Sequence, residues 1–201
     1  MKTLLLIRHA HTEMAGRFCG HSDPELSTTG RQQLSEIVTR LDQWPLSTIY
    51  ASDLKRAVQT AEAIASIHNL PIQLRTGLRE IHFGDWEGKS WKEIEKADPA
   101  GASAWLTEYP YNTPPAGEAF RDFQQRVRNE LAELAALIHQ DKVAAAVTHA
   151  GFIRTALSLI AGTPIGSIAA TDYGAATELQ LAHQEWCVKD LSTLCNIGPF
   201  T

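Results

Sequence analysis

One stretch near the start of the chain decides its fold, Leu4-Leu5-Leu6-Ile7-Arg8-His9-Ala10-His11-Thr12. A short apolar run bounded by polar residues is typical of a strand, and an unbroken apolar run indicates that both faces of the strand are buried, as in parallel sheets. Arg8 and His9 then follow at the carboxyl end of this strand, which is the edge where open α/β sheets bind ligands. The stretch therefore predicts an anion site that has Arg8 and His9 at its floor.

Helical and strand patterns alternate along the rest of the chain. Helical spacing of apolar residues predicts helices at 28–41, 54–65, 118–140 and 153–160, and short apolar runs predict strands at 47–51, from 70 and at 142–147. Alternation of apolar and polar residues predicts two final strands at 177–181 and 186–191. We expect the last two strands to be edge strands, and Ser52 or Asp53 to be the N-cap of the second helix. The alternation predicts an α/β fold, a three-layer sandwich with a mainly parallel central sheet flanked by helices.

A segment rich in glycine, proline and aromatic residues, residues 82–117, interrupts this alternation. It is too short to be an independent domain, so we expect a small cap inserted in a single domain that spans residues 1–201. Its aromatic side chains either form the core of the cap or stack on a ring of the substrate: Trp86, Trp105, Tyr109 and Tyr111.

The amino-acid composition indicates which kinds of partner and which cellular compartment to expect. Of 201 residues, 44% are hydrophobic and 20% are charged, which is ordinary for a soluble globular protein. The net charge of −5 gives no general attraction to nucleic acid or to an anionic membrane, so an anion site must be a local cluster of cations. Cys19, Cys187 and Cys195 lack metal-ligand spacing and indicate a reducing compartment. No apolar run is long enough for a signal peptide or a membrane span, so we expect a cytoplasmic protein.

Cationic side chains follow three of the predicted strands: Arg8 and His9, then Arg56, then His149. Two of these strand ends lead directly into helices, whose free N–H groups at the N-terminus favour anions. The donors of arginine match phosphate oxygens, and Arg17 is close enough in sequence to reach the same edge. This arrangement predicts a site for a phosphate group. No P-loop and no G-x-G-x-x-G motif is present, so a nucleotide cofactor is not indicated.

The chemistry follows from the residue types in this cluster. Histidine is its only strong nucleophile, because no serine or cysteine lies in a nucleophile motif. A neutral His9 can attack phosphorus, and water then hydrolyses the phosphohistidine; Arg8 and Arg56 would disfavour protonation of His9. The leaving alkoxide needs a proton, and Glu80, at the start of the loop leading to this edge, is the candidate acid.

Four motifs resemble the histidine phosphatase family, also called the phosphoglycerate mutase-like family: 8–12, 52–60, 78–80 and 148–151. The resemblance implies the same α/β fold and no metal cofactor. It also implies roles for the main residues of the site: His9 as the phosphorylated nucleophile, Glu80 as the proton donor, and Arg8, Arg56 and His149 as the phosphate pocket. We further expect phosphate or substrate to be contacted by Thr12, Arg17 and Ala150.

Three more stretches, 16–26, 83–88 and 115–118, are similar to alpha-ribazole phosphatases, which act on alpha-ribazole 5'-phosphate. We therefore expect a small phosphorylated metabolite as substrate, with alpha-ribazole 5'-phosphate as one candidate. The chain also departs from the family. Ala10 and His11 stand where glycine and glutamate are usual, and an asparagine expected shortly after Thr12 is missing. We expect the methyl group of Ala10 to lie close to the phosphate and the missing asparagine to remove one phosphate donor.

Other functions stay open from the sequence. His9, His11 and His149 could form the metal site of a hydrolase. A phosphoglycerate mutase would need a site closed against water, whereas a cap as modest as residues 82–117 favours hydrolysis. A broad-specificity sugar phosphatase and a non-catalytic protein that binds a phosphorylated ligand are further alternatives. A homodimer is one of the oligomeric states that the sequence allows.

Overall fold

The computed structural model describes residues 1–189, which form an α/β fold around a mainly parallel sheet. Within this range the sheet has six strands in the order β3-β2-β4-β1-β5-β6. The first four strands are mutually parallel, β5 is antiparallel to β1, and β6 is antiparallel to β5. The strands are β1 (Lys2–Arg8), β2 (Leu46–Ala51), β3 (Ile72–Leu74), β4 (Val143–Thr148), β5 (Ala176–Ala182) and β6 (Glu185–Val188).

Helices cover both faces of this sheet. They are α1 (Thr28–Leu41), α2 (Lys55–His68), α3 (Trp91–Ala97), α4 (Pro99–Glu108), α5 (Phe120–Leu137) and α6 (Ala150–Ala161). Leu5 and Ile7 of β1 pack in the cluster formed with α1 and α2, whereas Leu4 and Leu6 pack in the cluster formed with α5 and α6. Alternate residues of β1 are therefore buried on opposite faces, which explains its unbroken apolar run. The predicted three-layer sandwich is confirmed.

Residues 82–117, here called the cap segment, contain α3 and α4. These helices have strong N-terminal signals: Ser90 and Glu93 form a capping box at α3, and Asp98 caps α4, which begins at a proline. Trp86 and Ile94 are buried in a small cluster of their own, separate from the two clusters on the sheet. Phe83 and Trp105 pack against that cluster. Trp86 and Trp105 thus contribute to the core of the cap segment, whereas Tyr109 and Tyr111 are exposed and lie outside this cluster.

The last strands differ from the sequence prediction. β5 is an internal strand between β1 and β6, so the prediction that it lies at an edge is wrong. β6 does lie at an edge of the sheet, and β3 lies at the opposite edge. Its alternating pattern suggested an edge because one face carries polar residues such as Glu178 and Gln180. Cys195, and the predicted continuation of the last strand to Leu191, lie outside the described residues.

The N-terminus of α2 also differs from the prediction. The N-cap is Leu54 rather than Ser52 or Asp53. The N–H of Lys55 donates to Asp23 Oδ1 at 2.6 Å, so a distant carboxylate caps the helix. Asp53 instead accepts from Arg79 Nε at 2.7 Å. None of the helices in the described part of the chain has the length and apolarity needed to cross a membrane.

Candidate functional site

The side chains predicted to bind an anion meet at one edge of the sheet. β1 and β4 are paired so that Arg8 lies opposite Thr148, and His9 and His149 are the next residues along each strand. The two imidazole rings are 5.1 Å apart between centroids. His9 is 6% exposed and His149 is 1% exposed, and Arg56, in the first turn of α2, is also 1% exposed. Two histidines and an arginine are therefore buried side by side.

The hydrogen bond made by His9 fixes its tautomer. Its Nδ1 lies 2.7 Å from the carbonyl oxygen of Ala10, which can only accept, so Nδ1 carries the hydrogen and Nε2 has a free lone pair. Burial lowers the pKa of His9 well below its ordinary value, and the positive charges of Arg56 and Arg8 lower this pKa further. The imidazole is therefore neutral at neutral pH, with Nε2 ready to act as a nucleophile.

His149 is held in the opposite tautomer. Arg56 Nε donates to His149 Nδ1 at 3.2 Å, so the hydrogen of the neutral ring lies on Nε2. This Nε2 is buried and has no hydrogen-bond partner among residues 1–189. Burial lowers the pKa of His149 well below its ordinary value, and the charge of Arg56 acts in the same direction. The site thus pairs a lone pair on His9 with an unused N–H donor on His149.

Arg56 also holds a loop that follows β1 in sequence. Its guanidinium donates to the carbonyl oxygens of Ser22 at 2.7 Å, Gly20 at 2.7 Å and Cys19 at 3.3 Å. Most of its donors are therefore engaged with the protein. Arg56 orients His149 and loop 19–22 together and places a buried positive charge beside both imidazoles.

Arg8 is held by the segment that precedes β5. Its Nη1 donates to the carbonyl oxygen of Thr171 at 2.5 Å, and its Cζ lies 3.6 Å from the centroid of the Tyr173 ring. Its Nε is buried and has no hydrogen-bond partner within residues 1–189. An unused guanidinium donor is thus available at the same edge as His149 Nε2.

Glu80 is the acidic member of the cluster and is 7% exposed. Its Oε2 accepts from the N–H of Gly151 at 2.8 Å, and its Oε1 accepts from the N–H of Ile81 at 3.0 Å. Burial raises its pKa, and these N–H groups and the neighbouring arginines only partly oppose that rise. Gly151 is required for this approach, because a Cβ there would lie 2.2 Å from Glu80 Oε1. A carboxyl group with a raised pKa is suited to general acid catalysis.

The cluster is better suited to an anion than to a metal ion. Ala150 is the first residue of α6, and a helix leaves the N–H groups of its first turn without partners in the helix itself. Among the described residues, no group of three or more His, Cys, Asp or Glu side chains could hold a metal ion. His11 Nδ1 is already 2.8 Å from Ser27 Oγ, so the metal-site hypothesis for the three histidines has no geometric support.

A comparison with protein families agrees with this geometry. A family model described as the histidine phosphatase superfamily, branch 1, matches residues 4–193, which is nearly the whole chain. This chain belongs to the histidine phosphatase superfamily. The resemblance inferred from the four sequence motifs is therefore confirmed.

Relatives of this histidine phosphatase differ in substrate. The adenosylcobalamin/alpha-ribazole phosphatase of Escherichia coli is 31% identical over 80% of this chain and 80% of the relative. The glucosyl-3-phosphoglycerate phosphatase of Mycolicibacterium vanbaalenii is 30% identical over 82% of this chain and 76% of the relative. The alpha-ribazole phosphatase structure from Shigella flexneri has a TM-score of 0.84 and 27% identity over 93% of this chain and 94% of that one. The chain is thus a phosphatase of this superfamily whose relatives act on small phosphorylated substrates.

Two side chains that the sequence predicts near the phosphate, those of Arg17 and Ala10, lie outside the cluster of His9, His149 and Arg56. Arg17 Nη1 donates to the carbonyl oxygen of Gly88 at 2.7 Å and to Glu93 at 2.9 Å, so its guanidinium is bound to the cap segment. The methyl group of Ala10 is fully buried in the cluster of α1 and α2, so the expectation that it lies beside the phosphate is wrong. Thr12 is 2% exposed and its backbone forms a bridge to Leu26.

Glu87 is a residue of the site region that sequence reasoning did not assign. Its carboxylate accepts from the N–H groups of Gly20 at 3.1 Å, His21 at 2.8 Å and Ser22 at 3.0 Å. It therefore holds the N–H side of loop 19–22, whereas Arg56 holds the carbonyl side. Nothing in the sequence of 83–88 shows that its glutamate reaches a loop about 65 residues earlier.

We expect Glu87→Gln to reduce phosphatase activity and stability together. The amide keeps the size of the side chain, but it removes a negative charge and turns an NH₂ group toward backbone N–H donors, at a cost of about 1–3 kcal/mol. Displacement of the loop would disturb Arg56 and lower kcat/KM about tenfold. Urea denaturation and assays with p-nitrophenyl phosphate measure both effects. Glu95→Gln, at an exposed position of α3, is the matched control; equal results for the two variants would refute a role for Glu87.

Proposed function

We propose that this histidine phosphatase hydrolyses a phosphomonoester in two steps through a phosphohistidine at His9. The observation that carries the proposal is the opposite tautomers of the two buried imidazoles, a lone pair on His9 Nε2 and a donor on His149 Nε2. A nucleophile beside a hydrogen-bond donor matches a phosphoryl group, which needs attack at phosphorus and stabilisation of its oxygens.

In the first step, His9 Nε2 attacks phosphorus while the bond between phosphorus and the leaving oxygen breaks. Arg8, Arg56 and His149 bind the phosphoryl oxygens, together with the N–H of Ala150, the first residue of α6. Glu80, whose pKa is raised by burial, donates a proton from its carboxylic acid form to the leaving alkoxide. The products of this step are an alcohol, a phosphohistidine and the Glu80 carboxylate.

In the second step, the Glu80 carboxylate takes a proton from water, whose oxygen attacks the phosphohistidine. The bond between phosphorus and His9 Nε2 breaks, and inorganic phosphate leaves. His9 is neutral again and Glu80 is protonated again, so the cycle closes without a cofactor. This mechanism assigns no step to Arg17, whose guanidinium is bound to the cap segment.

We propose a small phosphorylated metabolite as substrate, with alpha-ribazole 5'-phosphate as the first candidate. The support is the 31% identity to the Escherichia coli alpha-ribazole phosphatase and the similar stretches at 16–26, 83–88 and 115–118. The relative that acts on glucosyl-3-phosphoglycerate favours a phosphorylated sugar or glycerate as second candidate. We further propose one domain with the cap segment as an insertion, a cytoplasmic location and no nucleic-acid partner.

The test is phosphate release by the wild-type protein after thorough EDTA treatment. The substrates are p-nitrophenyl phosphate, alpha-ribazole 5'-phosphate, glucosyl-3-phosphoglycerate and 3-phosphoglycerate. We expect activity to survive EDTA and kcat/KM to be highest for alpha-ribazole 5'-phosphate. Loss of activity on chelation, restored by a divalent cation, would instead indicate a metal hydrolase. Interconversion of 2- and 3-phosphoglycerate without net phosphate release would indicate a mutase.

A further inference from the structure

Tyr173 lies beside the nucleophile because the backbone after it is bonded to the end of β1. The N–H of Gly174 donates to the carbonyl oxygen of Arg8 at 3.0 Å, and the N–H of Arg8 donates to Ala175 at 3.0 Å. Gly174 has a φ of +72°, and a Cβ there would lie 2.6 Å from Ile37 Cδ1. The chain must therefore pass close to α1 at this point, and this fixes where the Tyr173 ring enters the site.

The ring of Tyr173 contacts three side chains of the stretch that carries the chemistry. Its centroid is 3.6 Å from Arg8 Cζ, 5.7 Å from the centroid of the His9 ring and 5.0 Å from that of His11. The His11 ring is itself fixed, because its Nδ1 lies 2.8 Å from Ser27 Oγ. One half-buried ring thus links the guanidinium, the nucleophile and an anchored imidazole.

We propose that Tyr173, supported by His11, is a positioning residue that holds the Arg8 guanidinium in place for the phosphoryl group and shields His9 from water. The proposal rests on the proposed phosphatase mechanism, to which it adds a residue. A guanidinium stacked on an aromatic ring uses its face for that contact, which leaves its edge N–H groups for oxygens. Arg8 fits this description, because its Nε has no partner among residues 1–189.

The shielding has a measurable consequence for His9. Burial is the main reason that the pKa of His9 is low, and loss of the ring would admit water and raise this pKa toward its ordinary value. Release of the Arg8 guanidinium, which the ring positions, would raise the pKa of His9 as well, because the charge of Arg8 helps to lower it. The remaining groups around His9 stay in place: Arg56 from α2, His149 at α6, Glu80 from the loop before the cap segment, and His11. Loss of the ring should therefore move the acid limb of the kcat/KM profile to higher pH.

The test compares Tyr173→Leu, Tyr173→Phe, Arg8→Lys and the double variant Arg8→Lys/Tyr173→Leu, with inorganic phosphate as the probe. Phosphate affinity is measured by calorimetry and as competitive inhibition of p-nitrophenyl phosphate hydrolysis. We expect Tyr173→Leu to weaken phosphate binding about tenfold, and Tyr173→Phe, which keeps the ring, to stay within about twofold of wild type. In the Arg8→Lys background, Tyr173→Leu should weaken binding by less than about twofold, because the two residues act as one unit. Tyr111→Leu, at an exposed tyrosine of the cap segment, is the matched control and should bind phosphate as wild type does.

Wild-type phosphate affinity and an unshifted pH profile in a folded Tyr173→Leu variant would overturn the proposal. Additive effects of the Arg8 and Tyr173 substitutions would also overturn it, because Tyr173 would then not act through Arg8. If Tyr173→Leu fails to fold, Tyr173→Met takes its place in the test. Methionine keeps most of the volume of the tyrosine side chain but has no aromatic face, so we expect the same results. Calorimetry measures phosphate binding without turnover. The role of Tyr173 can therefore be tested even if the proposed catalytic mechanism is wrong.

Discussion

His9→Ala should lower phosphate release from p-nitrophenyl phosphate by about 10⁴-fold or more, because it removes the atom that attacks phosphorus in the proposed mechanism. The rest of the site keeps its contacts: Arg56 Nε still donates to His149 Nδ1, and Arg8 still stacks on Tyr173. We therefore expect inorganic phosphate to bind His9→Ala with an affinity within a few-fold of wild type, on the order of 1 kcal/mol or less. Steady-state assays and calorimetry separate these two effects.

The matched control for this variant is His139→Ala, which removes an exposed imidazole just beyond the end of α5 and should be fully active. When the reaction of the wild-type protein with a labelled substrate is quenched rapidly without acid, a labelled phosphoprotein should be recovered. His9→Ala should not form this phosphoprotein. If His9→Ala and wild type release phosphate at the same background rate, the protein is a non-catalytic binder of phosphorylated ligands and the proposed mechanism is wrong.

Glu80→Gln should produce a loss that depends on the leaving group. For an alkyl phosphate, kcat/KM should fall about 10²–10⁴-fold, since the alkoxide then leaves without a proton donor. For p-nitrophenyl phosphate, whose leaving group needs no proton, kcat/KM should change little. Hydrolysis of the phosphohistidine still needs the carboxylate as base, so p-nitrophenol should appear in a burst followed by a slow phase. Glu108→Gln, at an exposed position of α4, is the control and should show neither change.

Glu80→Gln also tests the pH dependence of kcat/KM. Burial raises the pKa of Glu80, so the protonated acid is present below that raised pKa and is lost as the pH rises through it. The wild-type kcat/KM for an alkyl phosphate should therefore fall on the alkaline side, and Glu80→Gln should lack this limb because an amide does not titrate there. Both proteins are assayed with the same substrate, so the ionisation of the substrate affects the two pH profiles equally. An alkaline limb that is identical in both proteins would exclude Glu80 as the acid.

The parts of this molecule that follow from local patterns could be predicted from the sequence. The apolar run of β1 required burial on both faces, and the parallel sheet then brought Arg8, His9 and His149 to one edge. The same logic failed for contacts made by residues far apart in the chain. Nothing in the local sequence shows that Asp23 caps α2 or that the cap segment binds Arg17.

Tyr173 shows why a site is harder to predict than a sheet. It lies in a segment that has neither helical nor strand periodicity, and its position depends on backbone bonds between residues 174–175 and the end of β1. Ala10 shows the reverse case, in which a residue next to the nucleophile in sequence faces the core because it forms part of the cluster with α1 and α2. Adjacency in sequence does not determine on which side of the chain a side chain lies.

Loop 19–22 is held from two sides, with its N–H groups on Glu87 and its carbonyl oxygens on Arg56. A loop whose peptide groups are engaged in both directions has little conformational entropy left to lose when a ligand arrives. The loop thereby keeps Arg56 in one arrangement before a phosphate binds, so we expect Arg56 to contribute equally to the binding of different phosphomonoesters. Discrimination between metabolites would then arise in their residence times, set by the portion of each molecule that extends beyond the phosphate.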